Sequence, residues 1–295
     1  MSEIKIGTEG WQAIIANQLT VENIRRVAEA TAVWMKKQDF QKVIIGFDCR
    51  FGGLMFSRKV AKIMAANGFE VLAGENFITT AMLASGVLQE NADIGIMITG
   101  GIKPYFFNGF KVISSTGGRL VHDIENYIPL QSSTATESTT TYKKNGKIAI
   151  IDLEEAYHQR ALDRFDFDAI VKSGLRVVVD SMHGSSQSIL QKLLPTSLRL
   201  RMDYNPSFNN TIPNPIPANL TLLQTIVSTT DYTSFGVGLS GAAERFLICD
   251  ENAKFVDFDH IKTKITSIAD IEDGVWIVLT ILEHLALTGK KLSEI

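Results

Sequence analysis

The stretch from Asp93 to Val112, D-I-G-I-M-I-T-G-G-I-K-P-Y-F-F-N-G-F-K-V, constrains the fold of this chain more than any other. Ile94, Ile96, Met97 and Ile98 form a short apolar run with little alternation, the pattern of a strand buried on both faces. Thr99-Gly100-Gly101 breaks the run. Lys103-Pro104 blocks an immediate helix, because the residue before a proline is pushed out of the α region. Tyr105, Phe106 and Phe107 are expected to pack the return, and Asn108-Gly109 to turn the chain into a second apolar segment. In open α/β sheets, ligands sit at loops that leave the carboxyl ends of strands. The bend from Thr99 to Pro104 is therefore the first candidate site.

The flanking sequence repeats the same rhythm. Thr20 is placed to cap a helix whose apolar positions Ile24, Val27, Ala28, Thr31 and Met35 follow helical spacing. A strand is expected over 43–48, a helix over 54–66, a strand over 71–73 and a helix over 82–89. Gly7 to Gln12 reads as a turn-rich opening, and Ser132 to Tyr142 as a solvated loop. A second unit is expected from residue 151, with helices over 153–163, 187–194 and 220–228 and strands over 174–180, 198–203, 235–239 and 246–249. Asp250-Glu251-Asn252 reads as a hairpin turn towards Phe255-Val256. Alternating strands and helices at this spacing predict an α/β fold with largely parallel sheets.

Composition narrows the functional classes. The 295 residues suit two domains, and 45% apolar with 21% charged residues is ordinary for a globular protein. A net charge of −3 implies no nucleic-acid partner. Cys49 and Cys249 are isolated, as in a reducing compartment. The opening residues lack a signal-peptide core, and the apolar run Val275 to Leu287 is too short to span a bilayer. A cytoplasmic protein without membrane contact is expected.

Several segments together resemble the α-D-phosphohexomutases, the phosphoglucomutase and phosphomannomutase family. The first stretch is similar to the family's active-site loop, typically ITASHNPxxYNGFKV, in Ile98-Thr99, Pro104 and Asn108-Gly109-Phe110-Lys111-Val112. Gly7 to Trp11 with Ala13-Ile14-Ile15 resembles the opening GTxGWRAII, with Gln12 in place of its arginine. Gly46 to Phe51 is similar to GYDTRF, and Val177 to Gly184 to VVVDPMHG. The resemblance covers nearly the whole chain. It implies two tandem phosphohexomutase-type α/β domains, 1–150 and 151–258, followed by a linker and a leftover helix of the third domain over 259–295.

It also implies losses. The family's phosphoserine position is Gly101, flanked by Thr99, Gly100, Ile102 and Lys103, so the nucleophile is absent. The magnesium loop resembling DGDADR is Ser240-Gly241-Ala242-Ala243-Glu244-Arg245, where Ser240 and Ala242 replace two carboxylates and Glu244 stands at the third. One carboxylate and a hydroxyl make a poor site for a hard cation, so no Mg2+ is expected. Asp273 to Ile295 resembles the closing helix of the third domain, and Asp257 to Glu272 is too short for a βαβ domain. The core of the third domain and the whole fourth are thus expected to be missing.

Lys103, Lys111 and Arg245 remain as possible anion-binding groups, with backbone N–H groups of Gly100 and Gly101 as a small nest. The alternative is surface cations on a relic loop. Thr99 and Ser240 have no base placed by sequence to activate them, and no metal-ligand spacing joins His183 to His260. The helix over 275–287 must cover the second unit or contact another chain. The expected function is that of an inactive phosphohexomutase homologue acting through a full-length mutase or a second copy of itself. A phosphosugar or phosphate sensor is the first alternative, with hexose phosphate binding weak or absent on the main reading. Residual intramolecular phosphotransferase activity in carbohydrate metabolism is the second.

Overall fold

The computed structural model describes residues 4–7, 9–118, 120, 122–128, 147–230, 232, 234–265 and 272–295. The loop expected over 132–142 lies outside these. The chain divides into two compact units, Met1–Leu153 and Glu154–Ile295.

The first unit runs β1 (Trp11–Ile14), α1 (Val21–Lys37), β2 (Lys42–Phe47), α2 (Gly53–Ala66), β3 (Glu70–Ala73), α3 (Thr80–Gln89), β4 (Ile94–Ile98), β5 (Phe107–Ser114) and β6 (Ile148–Ile150). These strands form one sheet in the order β1-β5-β4-β2-β3-β6. β4, β2, β3 and β6 are parallel, while β5 lies antiparallel to both β4 and β1. Every residue of β4 is buried, and the reason is two-sided cover. Ile94, Ile96 and Ile98 join one core with Ile24, Val27 and Met35 of α1 and Val60 and Met64 of α2. On the opposite face a Cβ at Gly95 would stand 2.8 Å from Val87 of α3, so glycine is what lets that helix close on the sheet.

The second unit contains α4 (Leu153–Arg164), α5 (Phe167–Ser173), β7 (Val177–Asp180), α6 (Gln187–Leu193), β8 (Leu198–Leu200), α7 (Thr221–Thr229), β9 (Phe235–Leu239), β10 (Phe246–Asp250), α8 (Phe258–Lys264) and α9 (Gly274–Thr288). Its sheet is ordered β10-β9-β7-β8, with β7 parallel to both β8 and β9 and β10 antiparallel at the edge. The chain goes from β7 to β8 on one side and then to β9 on the other, so the crevice beyond the carboxyl ends of β7 and β9 is a topological switch point.

The helix read as a third-domain remnant packs inside this unit. Val275, Ile277, Val278, Leu279, Ile281, Leu282 and Leu285 are all buried, on every side of the helix rather than one broad face. Its start is pinned by Asp273, whose side chain accepts from the Trp276 N–H at 3.0 Å. Tyr157 of α4 donates its hydroxyl to the same carboxylate, 2.9 and 3.0 Å from its two oxygens. Trp276 is ringed by Phe165 (centroids 4.9 Å apart), Tyr157 (5.8 Å) and the Arg160 guanidinium (4.8 Å). The described residues of 259–295 fall within the second unit.

Other expectations shift. The opening is turn-rich only up to Gly10; Trp11 to Ile14 pair with Phe107 to Phe110 as an edge strand. The segment 167–173 is a helix, capped by Asp166 through Ala169 N–H at 2.8 Å, and the following strand begins at Val177. β8 stops at Leu200 because Arg201 takes a φ of +47°. No described helix is long and apolar enough to cross a membrane.

Candidate functional site

The bend between β4 and β5 is built around Arg50. This side chain is 2% exposed, and its guanidinium donates to four main-chain oxygens of the bend. Nη1 reaches Pro104 O at 2.8 Å and Phe107 O at 3.0 Å; Nη2 reaches Gly101 O at 2.7 Å and Lys103 O at 2.8 Å. Its Nε lies 3.3 Å from Asp48 Oδ2. Burial pushes the guanidinium's pKa down and Asp48 pulls it up; an arginine starts high enough to stay charged either way. Asp48 in turn accepts from the Thr99 hydroxyl at 2.6 Å, and Thr99 Oγ1 accepts from the Gly101 N–H at 3.0 Å. The planar five-donor group suits this task, since one side chain fixes four carbonyls at once.

Thr99 therefore does have an acid beside it, contrary to the sequence reading. The pair forms a closed network: Asp48 is fully buried and bonded to Arg50, and Thr99 is 2% exposed. Its hydroxyl serves the bend from within. Gly101 N–H is spent on Thr99, so it is not available to the anion nest expected at Gly100 and Gly101.

Gly101 has φ +56°, a region that costs a side-chain-bearing residue on the order of 1 kcal/mol. A Cβ built there would meet Gln12 Nε2 at 3.0 Å. The two departures, at Gly101 and at Gln12, thus face each other across the bend. Ile102 is half-buried and Lys103 exposed. Tyr105 and Phe106 do not pack the return; they are 39% and 42% exposed. Asn108 and Gly109 form no turn but lie within β5, Asn108 donating to Phe51 O at 3.2 Å. A Cβ on Gly109 would stand 2.3 Å from Trp11 O, so the close pairing of β1 with β5 requires glycine. Lys111 is no surface cation: it is 4% exposed, on the face of β5 opposite Phe110 and Val112.

The second loop follows β9. Ser240 is 2% and Ala242 and Ala243 each 1% exposed, Glu244 is half-buried, and Arg245 is exposed. Backbone bonds hold the loop: Ser240 N to Arg245 O at 2.9 Å, Arg245 N to Ser240 Oγ at 3.0 Å and Ala243 N to Ser240 O at 2.8 Å. Ser185 N donates to Gly241 O at 2.7 Å, and the start of α9 closes on it through Gly274 N to Ala243 O at 2.9 Å. Of the three positions where a cation would need carboxylates, Ser240 brings a hydroxyl already accepting, Ala242 a methyl group and Glu244 alone a carboxylate. Among the described residues no three His, Cys, Asp or Glu side chains are grouped so as to hold a metal ion. The residues present do not fit a magnesium ion.

Nearby, Asp180 forms a two-pronged pair with Arg201, at 2.8 Å to Nε and 2.5 Å to Nη2, and Arg201 also donates to Asn219 O at 2.9 Å. His183 Nδ1 sits 3.0 Å from Asp203 Oδ1. These pairs tie the carboxyl ends of β7 and β8 together; the sequence offered no sign of either.

Comparison with known proteins places this architecture. Residues 3–139 match the family model described as phosphoglucomutase/phosphomannomutase, alpha/beta/alpha domain I, and residues 155–254 match alpha/beta/alpha domain II of the same family. Among solved structures, a Thermus thermophilus protein of the phosphomannomutase type aligns with 99% of this chain and 82% of its own, at a TM-score of 0.81 and 23% identity. At that identity the likeness shows the fold alone, that of an α/β phosphohexomutase. The two domain matches, which take in most of the sequence, show that the chain belongs to the phosphoglucomutase/phosphomannomutase family. The phosphoglucosamine mutase of Finegoldia magna is 26% identical over 265 residues, 86% of this chain and 57% of that protein. A probable phosphoglucosamine mutase of Methanosphaera stadtmanae is 28% identical over 285 residues, 93% of this chain and 60% of its own length. The chain thus spans less than two thirds of these relatives.

Proposed function

We propose that this protein is a phosphohexomutase relative that no longer transfers phosphate and acts by contact with another protein, either a second copy or a full-length mutase. The observation that carries the first half is Gly101. Phosphoryl transfer through a covalent enzyme form needs a nucleophile held in line and cations on the equatorial oxygens. The bend offers an α-carbon with no side chain, and the second loop offers Ser240 and Ala242 where carboxylates would hold the metal. Supporting the second half, Phe51 (66% exposed), Met55 (51%), Tyr105 and Phe106 present large apolar groups on the segments that Arg50 and Asn108 join. Exposed apolar groups gathered this way mark contact surfaces.

The tests are direct. A coupled assay converting glucose 1-phosphate to glucose 6-phosphate, with Mg2+ and glucose 1,6-bisphosphate, is expected to stay at the blank; turnover above it overturns the inactive reading. Light scattering during gel filtration is expected to show a dimer, or co-elution with a full-length mutase. A monomer that co-elutes with nothing overturns the contact role. A phosphate or sugar-phosphate sensor is the second reading, supported by the exposure of Lys103 and Arg245; the burial of Lys111 weakens it.

A further inference from the structure

The second unit contains a cavity of about 610 Å³ where the C-terminal ends of α5, α7 and α9 come together, a size that small ligands occupy. Leu175 and Ser234, just ahead of β7 and β9, line it, so it lies at the opposite end of the sheet from the loop after β9. We infer that this cavity binds a small organic anion bearing hydroxyl groups. The inference is independent of the two degenerate loops.

The chemistry follows from which hydrogens are already spent. Ser173 Oγ donates to Ile170 O at 2.6 Å, Ser228 Oγ to Thr225 O at 2.9 Å and Thr230 Oγ1 to Ile226 O at 2.6 Å. Ser173, Ser228 and Thr230 are among the residues lining the cavity and have lone pairs to offer, although Ser173 Oγ already accepts from the Leu175 N–H at 3.2 Å, so an occupant bonded to these hydroxyls brings the donors. Ligand hydroxyls supply them. Cationic donors come from Lys290 and Lys291, which follow the left-handed Gly289 that ends α9. Among the described residues neither lysine forms an ion pair. Glu251, the carboxylate on the same wall, is turned to the backbone N–H and hydroxyl of Ser293. Val227 and Leu285 give an apolar floor. Helix C-termini carry partial negative charge. The two ammonium groups are therefore what makes the cavity suit an anion, and removing them must abolish binding. Hydroxyl acceptors alone would take a neutral sugar and lysines alone a bare anion; the combination selects a molecule with both.

Calorimetry on the full chain tests this with glucose 6-phosphate and gluconate, which differ in the anionic head, and with glucose and inorganic phosphate as the separate halves. At least one hydroxylated anion is expected to bind ~10-fold or more tightly than either half. The Lys290→Ala/Lys291→Ala variant is expected to lose that binding ~10-fold or more, while Lys290→Arg/Lys291→Arg and Lys103→Ala/Arg245→Ala keep it. Both lysines are exposed, so folding should be unchanged, and circular dichroism checks this. No heat with any probe at millimolar concentration, equal affinity for glucose or inorganic phosphate, or unchanged binding in the double alanine variant each overturns the inference.

Discussion

Replacing Asp273 with asparagine is expected to make the second unit more stable at neutral pH, and the amount follows from the carboxylate's surroundings. Asp273 is buried beneath Tyr157 and Trp276, and burial raises its pKa from 3.8 to about 6, against the opposing pull of the Trp276 N–H and the Tyr157 hydroxyl. The folded chain therefore keeps a proton that the unfolded chain has already released. Stability from this group is fully present below about pH 4 and is lost as pH rises through about 6. At 1.36 kcal/mol per pH unit, the displacement costs the native state about 3 kcal/mol at pH 7. Asparagine keeps the helix cap through its carbonyl oxygen, and its amide can donate to the Tyr157 oxygen, so it removes the buried charge while leaving the contacts. The assay is urea unfolding between about pH 4 and pH 7, read from Trp276 emission in a Trp11→Phe/Trp34→Phe background so that the transition belongs to the second unit. Wild type and Asp273→Asn should coincide near pH 4 and separate to about 3 kcal/mol at pH 7, with the variant the more stable. A gap that does not change with pH refutes the reasoning. So does a variant less stable than wild type at pH 7, which would mean that the ionised cap outweighs its desolvation.

Three more outcomes are expected. Arg50→Ala should destabilise the first unit by about 3–5 kcal/mol in urea unfolding, because it strands the buried Asp48 and frees four carbonyls; a loss under about 1 kcal/mol would show that the bend holds itself. Gly101→Ser should remain unphosphorylated when incubated with glucose 1,6-bisphosphate and Mg2+, since Gln12, Ser240 and Ala242 are still in place; a stoichiometric phosphate by intact mass would show that these other departures do not by themselves block phosphorylation. Millimolar Mg2+ should leave the melting temperature of the wild-type chain unchanged, where a specific site filled to ~100 times its Kd would add about 2.7 kcal/mol.

Much of the fold was legible because burial writes itself into sequence as period. The helical spacing of Ile24, Val27, Ala28, Thr31 and Met35 is the buried face of α1, and the unbroken run of β4 marks a strand covered on both sides. Elements lacking such a period escaped. β6 has three exposed residues and pairs with β3 at the edge of the sheet. α5 buries Ile170 alone, although Asp166 before it was a readable cap. β1 alternates over just four residues behind a glycine turn, and Trp11 and Ala13 were its faint signal. At the site, the frame of the bend, with glycine at position 101, was plain in the letters. Nothing there told that Arg50 turns inward or that Thr99 pairs with Asp48 across 51 positions. Lys111, named among the possible anion-binding groups, is carried inside by the alternation of β5, so the surface-cation alternative does not hold for it.

Within the bend, Arg50 donates to peptide oxygens, and every amino acid supplies one. Nothing in that grip can register what protrudes from positions 101 to 103, so selection on the architecture of the bend is blind to the identity of its reactive group. A hairpin of this kind can outlast its chemistry by many generations, still recognisable in outline. In this family a well-preserved frame around the bend is therefore a record of ancestry, and turnover has to be judged from the side chains the frame displays.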